Sequence, residues 1–371
     1  MSETPTPQPI NVKTYTLATQ SDVEALAPLW KTTFSQSNTS FFLSWRWIKP
    51  FALQALEKGY RVHAIQASSK DSTPLGLAIF CERSQTRHKV FRYNQLFLHK
   101  TGDDVLDKTW IEYNDFLLNA EHEQTTRVAM WQFINSHFNH IDEFVVGLST
   151  RDTISNTKRI LPKYFSWDYI VDTGLVLTTP KNELPKYKSK QLTSNIKRSN
   201  KLLAASSTSV VISDDNNDFL QALESISPMH KATWKQESGF YLEEFKQYLA
   251  MLTEVQDETR LVSALLKTQE RVVAALIGFV HNETFYYYLS ANETSENNKV
   301  KHGLSLHHYV IEWCAKQGIN RYDFLAGDYR YKRSFTNESI EFSYTHFQRP
   351  TMKAKLETKL RLIKKKLFSK E

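Results

Sequence analysis

The sequence predicts an α/β (α+β) protein built as two tandem domains, each a mixed, mostly antiparallel sheet flanked by helices. Three observations carry that reading. The chain has 371 residues, more than one ordinary core accommodates and enough for two. A succession of hairpin, loop, amphipathic helix and strand occurs twice, once before residue 150 and again around Thr284–Leu325. Between the two lies Pro180–Pro185 (PKNELP), which reads as a linker. The expected layout is a frayed Pro/Thr-rich tail at 1–12, a first domain at 13–180, a second at 181–348, and a basic amphipathic helix at 349–371.

In chain order, Ser21–Phe34 predicts a helix, with Ser21 and Glu24 at capping-box spacing. A second helix runs from Ser40 to about Lys58. Arg61–Ala67 and Leu75–Cys81 read as strands joined by the polar turn Ser68–Pro74. Val90–Leu98 and Ile111–Leu118 follow as extended segments. Glu121–His137 is a helix with Val128, Trp131, Phe133 and Ile134 inward, and Glu143–Leu148 is a strand. After the linker, Tyr187–Ser206 is a basic helix with Leu192, Ile196, Ser199 and Leu203 along one face; its cations point elsewhere. Val210–Ser213 is a strand, and Asp218–Trp234 and Phe240–Val255 are helices. Arg260–Leu266 and Arg271–Val280 form a hairpin, and Ile340–Phe347 is a late strand. The last helix, 351–368, aligns Leu356, Leu360, Ile363 and Leu367 on one face. Packing on its own domain and contact with an acidic membrane surface are both open to it.

Charge is local. Nine Lys/Arg face two acids from Arg349 to Glu371, and seven face one from Lys181 to Lys201; the remainder is mildly acidic. That distribution suits anionic ligands at defined places and argues against a nucleic-acid groove, so no DNA partner is expected. Two cysteines, Cys81 and Cys314, give neither a disulfide framework nor a zinc pattern. The N-terminus MSETPTPQPI lacks a signal pattern, and the longest apolar run, Val272–Val280, is far short of a membrane span. A cytoplasmic protein, with at most peripheral contact at a membrane, is the expectation.

The organising stretch is Thr284–Phe335. Thr284–Ser290 (TFYYYLS) is an aromatic strand; Tyr286 and Tyr288 share one face and Tyr287 the other. A helix opens just after Gly303, with Leu306, Tyr309, Val310, Trp313 and Cys314 on one side, and Gly318 closes it. Ile319–Leu325 is the next strand. A loop of main-chain N–H groups feeding a helix N-terminus is a ready phosphate site, and Lys299 and Lys301 add charge of the right sign.

Here a resemblance enters. Val300-Lys301-His302-Gly303-Leu304-Ser305 resembles the coenzyme A pyrophosphate loop of GNAT acyltransferases, Gln/Arg-x-x-Gly-x-Gly/Ala. Gly303 fits, Ser305 is a small substitute and Val300 departs from it. Asp323-Phe324-Leu325-Ala326-Gly327-Asp328-Tyr329-Arg330-Tyr331-Lys332 is similar to the D-F-x-x-G-D-x-x-Y-K signature of the CelD-like (cellulose-biosynthesis) branch, itself related to Fem-type aminoacyl transferases. The resemblance is specific over about 190–335 and weaker over 40–149. It implies two GNAT-like domains, the first degenerate, structural or acceptor-binding. It also implies acyl transfer from acetyl-CoA or another acyl-CoA to a small amine or amino-sugar acceptor, without a metal. Lys301, His302, Gly303, Leu304, Ser305 and Tyr288 would hold the coenzyme. Asp328 would be general base or acceptor-orienting group, Tyr331 the proton donor to the leaving thiolate, and His230 a third catalytic candidate. Lys332, Arg330 and Arg198 would meet anionic parts of the substrate. A Fem-type transferase using aminoacyl-tRNA is the second reading. A non-catalytic accessory of a polysaccharide synthase, docked through the basic C-terminal helix, is the third. Adjacent His307 and His308 point about 100° apart on a helix and cannot share a metal ion.

Overall fold

The computed structural model describes residues 9–87, 89–180, 183, 185–357 and 359–360. Contacts divide the chain into two units, residues 1–171 with 343–371, and residues 172–342. The division differs from contiguous blocks at 13–180 and 181–348, because the chain returns to the first unit at its C-terminal end. Most of the expected tail, linker residues 181, 182 and 184, and the end of the last helix with Ile363 and Leu367 lie outside the described residues.

The first unit contains strands β1 (Asn11–Leu17), β2 (Arg61–Ser68), β3 (Pro74–Arg87), β4 (Phe91–Leu98), β5 (Leu117–Leu118) and β6 (Glu143–Thr150). Its helices are α1 (Gln20–Ala25), α2 (Ala27–Ser35), α3 (Trp45–Glu57), α4 (Glu123–His137) and α5 (Arg151–Ile160). The sheet order is β1-β2-β3-β4-β6, antiparallel except for β4 and β6, which run parallel; β5 pairs β3. The core joins Ile65, Phe80, Leu96 and Phe144 to Met130, Trp131 and Ile134 of α4. Several expectations shift. The capping box belongs to Thr19 and Asp22, because the helix starts a residue earlier than Ser21. Ser44, not Ser40, caps α3. Ile111–Leu118 is mostly irregular, since buried Asn114 donates to the Leu98 and Gly147 carbonyls and holds that segment outside a ladder. In α4 the inward positions include Thr126, Arg127 and Met130, and Val128 is only half-buried.

β7 (Phe165–Thr178) spans both units. The second unit continues with α6 (Lys190–Ala204), β8 (Thr208–Ser213), α7 (Asn216–Trp234), α8 (Glu243–Met251), β9 (Arg260–Thr268), β10 (Arg271–His281), β11 (Thr284–Asn292), α9 (His302–Lys316), β12 (Arg321–Asp323) and α10 (Arg330–Phe335). β13 (Glu338–Gln348) leads back to the first unit. The order here is β7-β12-β11-β10-β9-β8, with β11 and β12 the parallel pair. The strand-and-helix order of the first unit therefore recurs, α9 standing where α4 stood. The buried face of α6 is Leu192, Ile196, Ser199 and Leu203, as its spacing predicts. The expected strand Ile319–Leu325 shrinks to three residues, because Asp323 accepts the Leu325 amide at 2.8 Å and turns the chain away.

The C-terminal helix turns a different face inward from the one expected. Ala354 and Glu357 are buried, Lys353 reaches the Arg92 carbonyl and Asp142, and Met352, Leu356 and Leu360 face solvent. None of the described helices is long and apolar enough to cross a membrane.

Candidate active site

The site begins where β11 loses its neighbour. β12 pairs only with Thr284–Tyr286, so from Tyr287 onward β11 has an open edge on that side. On the other side the register jumps from Ile277↔Leu289 to Gly278↔Tyr287, a bulge that skips Tyr288. Gly278 permits it: a Cβ there would lie 2.3 Å from the Phe285 ring and 2.6 Å from the Tyr286 carbonyl oxygen. The Tyr288 ring is buried against Phe279 at 5.2 Å, whereas Tyr287 turns to the opposite face, toward Phe324 and His307.

At the end of β11, α9 presents its N-terminus. Ser199 on α6 organises it. Its hydroxyl accepts the Lys301 amide at 2.9 Å and pairs with the Ser305 hydroxyl at 2.8 Å. The Ser305 amide closes the first helical bond to the Lys301 carbonyl, and His302 Nδ1–H donates to the Glu293 carbonyl at 2.9 Å. Ser305 is thus a helix–helix tie, not an exposed ligand contact, and His302 anchors the preceding loop. The amides of His302, Gly303 and Leu304 make no hydrogen bond among the described residues. Three such donors at the positive end of a helix dipole form an anion cradle. Gly303 keeps it close to β11: a Cβ would sit 2.6 Å from Asn292 Oδ1. Lys301 is exposed beside it, and Arg198, next to Ser199 in the chain, is exposed with Nη2 donating to Asn195 Oδ1.

Hydroxyl groups gather on the Tyr287 face. Tyr331 donates to Tyr287 at 3.5 Å, and Tyr287 pairs with Ser290 at 2.8 Å. Burial raises both phenols, Tyr331 strongly, so each is protonated at neutral pH. His307 lies against Tyr287, ring centroids 4.7 Å apart, and is hydrogen-bonded to the Tyr322 hydroxyl. Burial first, and the Lys332 charge second, lower it to about 3, so it is neutral. Sequence reasoning considered His307 only for metal binding and missed this role; its position on the Leu306–Val310 face was the available signal. Ser199 was placed on the buried face, but nothing in the sequence announced its link to Ser305.

The loop after β12 commits two predicted contacts internally. Buried Lys332 donates to the Phe324 and Ala326 carbonyls at 2.7 and 2.6 Å, fixing the loop through Gly327. That arrangement opposes an exposed anion-binding role. Asp328 is held by Arg333 in a two-pronged ion pair that lowers its carboxyl below the usual range. An acid so paired is a poor proton acceptor and a good fixed charge. Arg330 is exposed at the start of α10. His230 sits on α7, bonded through Nδ1 to Ser238 at 2.8 Å and packed between Trp234 and Phe240. Among the described residues no group of three His, Cys, Asp or Glu side chains could hold a metal ion.

Residues 190–333 match the GNAT acetyltransferase domain. No curated protein matches the sequence. Among solved structures, FemX superposes with a TM-score of 0.56 at 11 % identity, covering 90 % of this chain and 97 % of its own. L-PGS from Bacillus licheniformis gives 0.53 at 11 %, covering 93 % and 97 %. The C-terminal DUF2156 domain of an Agrobacterium fabrum protein gives 0.52 at 10 %, covering 93 % and 98 %. At such identities the likeness is one of fold. The stretch similar to a GNAT acetyltransferase domain thus lies within the second unit, and the chain as a whole shares the fold of these solved structures.

Proposed function

We propose that the protein is an acyl-CoA-dependent N-acyltransferase, moving an acyl group, most simply acetyl, to the amine of a small acceptor. The observation that carries this reading is the α9 N-terminus, whose His302, Gly303 and Leu304 amides have no acceptor among the described residues and suit a diphosphate. The donor's pantetheine arm would run along the open edge of β11 beyond Tyr286, where main-chain N–H groups polarise the thioester carbonyl. The amine attacks that carbon as its free base and the C–S bond breaks. The proton the nitrogen loses on becoming an amide ends on the departing sulfur: Tyr331, with Tyr287 and Ser290 behind it, gives its own proton to the thiolate and takes up the one from nitrogen, so the phenol is restored. Asp328, fixed by Arg333, orients the incoming amine rather than deprotonating it. Arg198, Lys301 and Arg330 supply surrounding positive charge for the nucleotide. The acceptor we favour is an amino sugar of surface-polysaccharide synthesis, on the strength of the CelD-like signature at 323–332. Exposed Met352, Leu356 and Leu360 on a basic segment support peripheral contact with an acidic membrane surface.

Acetyl-CoA should raise the melting temperature of the purified chain, and Gly303→Glu should remove that shift while leaving the unliganded melting point within a few degrees. Absence of a shift with acetyl-CoA and with longer acyl-CoAs would overturn the donor assignment. Stabilisation by aminoacyl-tRNA instead would favour a Fem-type reaction.

A further inference from the structure

The first unit, for which acyl transfer finds no role, contains its own built pocket. It encloses about 560 Å³. Its floor is Gln95 on β4 and Arg87 on β3; its walls are the rings of Phe97, Trp167 and Tyr344. Behind the floor lies Glu143, fully buried. Burial alone would raise that carboxyl, but His346 and Arg87 outweigh it and hold it below the usual range, so Glu143 is ionised. Arg87 Nη1 donates to it at 3.1 Å, and so does the Gln95 side-chain nitrogen.

This bond fixes the Gln95 amide. Turned over, it would set its oxygen against the carboxylate, two acceptors face to face. The amide oxygen therefore points away from Glu143. It is buried, belongs to a side chain only 1 % exposed, and has no hydrogen-bond donor among the described residues. A buried acceptor without a donor costs roughly 1–3 kcal/mol. In a side chain that lines a cavity, it is the place where a ligand's O–H or N–H belongs.

The pocket's charges decide what kind of ligand. Arg87 and His346 both lie against Glu143, with Glu357 4.0 Å from Arg87, and Lys100 is matched by Asp107 at 3.6 Å. Lys108 and Asp104 add one charge of each sign. A field so balanced does not select a phosphate, a nucleotide or a polycation. The walls are aromatic: Trp167 lies parallel to His346 at 5.2 Å, and Tyr169 stands edge-on to it at 5.9 Å. A neutral molecule with apolar C–H faces, hydroxyl edges and modest volume suits a lining of aromatic rings, paired charges and one open acceptor. We infer that the first unit binds a pyranose-type sugar ring, with one ring hydroxyl donating to Gln95 Oε1 and a C–H face against Trp167 or Tyr344.

The test uses the full chain and saturation-transfer NMR with methyl β-D-glucopyranoside and D-glucosamine, with L-lysine and inorganic phosphate as controls. The sugars should bind saturably and the controls should not. Trp167→Ala should weaken sugar binding at least 10-fold. Gln95→Met, which keeps the volume but removes the acceptor, should weaken it comparably. Both variants should retain the stabilisation by acetyl-CoA, so loss of this site and loss of the donor site are separable. Absence of saturable sugar binding, binding unaffected by both substitutions, or tighter binding of lysine or phosphate overturns the proposal.

Discussion

Tyr331 differs from the other aromatic residues of its cluster in one atom that matters. Its ring packs against His307 and Tyr329, at 5.8 and 6.3 Å, and a phenylalanine would keep those contacts. Its hydroxyl alone reaches the Tyr287–Ser290 pair. Tyr331→Phe should therefore leave the melting temperature and the acetyl-CoA shift nearly unchanged and lower kcat about 10²-fold, the usual worth of a positioned proton donor. An unchanged kcat would make the phenol a packing group. At this scale the sequence was readable where chemistry sits in the residue type. Gly303 was singled out from its loop alone, and its amide is one of three at the helix N-terminus with no acceptor among the described residues. It was unreadable where a partner is distant in the chain. Lys332 looks like a phosphate contact until Phe324 and Ala326 take its protons, and Ser305 looks like a coenzyme contact until Ser199, 106 residues earlier, takes its hydroxyl.

β11 illustrates how an element acquires a site through imperfect pairing. Its apolar, aromatic composition predicts a strand, and a strand forms. The bulge that skips Tyr288 cannot be read from that composition, because it depends on a glycine in the neighbouring strand. Gly278→Ala tests the connection. The added methyl meets the Phe285 ring and the Tyr286 carbonyl at distances no Cβ tolerates. The variant should lose about 1–3 kcal/mol in urea denaturation, as overpacked cores do. It should also weaken acetyl-CoA stabilisation, because β11 must shift to accept it; normal coenzyme binding in a destabilised variant would detach the bulge from the site. Elements with periodic apolar faces were legible, α6 to the residue. α5 and β7 were not: α5 (RDTISNTKRI) has only two apolar residues, and the outer half of β7 exposes Tyr169, Ile170 and Val171. The short β12 was overextended because a turn set by Asp323 interrupts an apolar run that reads as continuous strand.

Over the whole molecule, the two units share a response to acid. In the first, burial lowers His99 to about 4 and also lowers His63. In the second, burial lowers His307 to about 3, with His281 and His308 shifted the same way. A histidine kept neutral by the fold binds its proton more readily when unfolded. The unfolded chain therefore takes up more protons as pH falls below about 6.5, and stability declines from there until the folded groups titrate. Glu143 and Glu82 are shifted below the ordinary carboxylate range; their contribution persists above about pH 4.5 and is lost only under stronger acid. Loss of stability between pH 6.5 and 5 thus belongs chiefly to the histidines, up to about 2 kcal/mol for one fully buried ring. His307→Gln, which removes the titrating ring, should flatten that decline in urea denaturation at pH 7.5, 6 and 5, although it lowers stability at neutral pH by breaking the bond to Tyr322. A decline of undiminished slope in the variant would mean that His307 accepts a proton while the protein remains folded, and that water reaches the aromatic cluster around Tyr287.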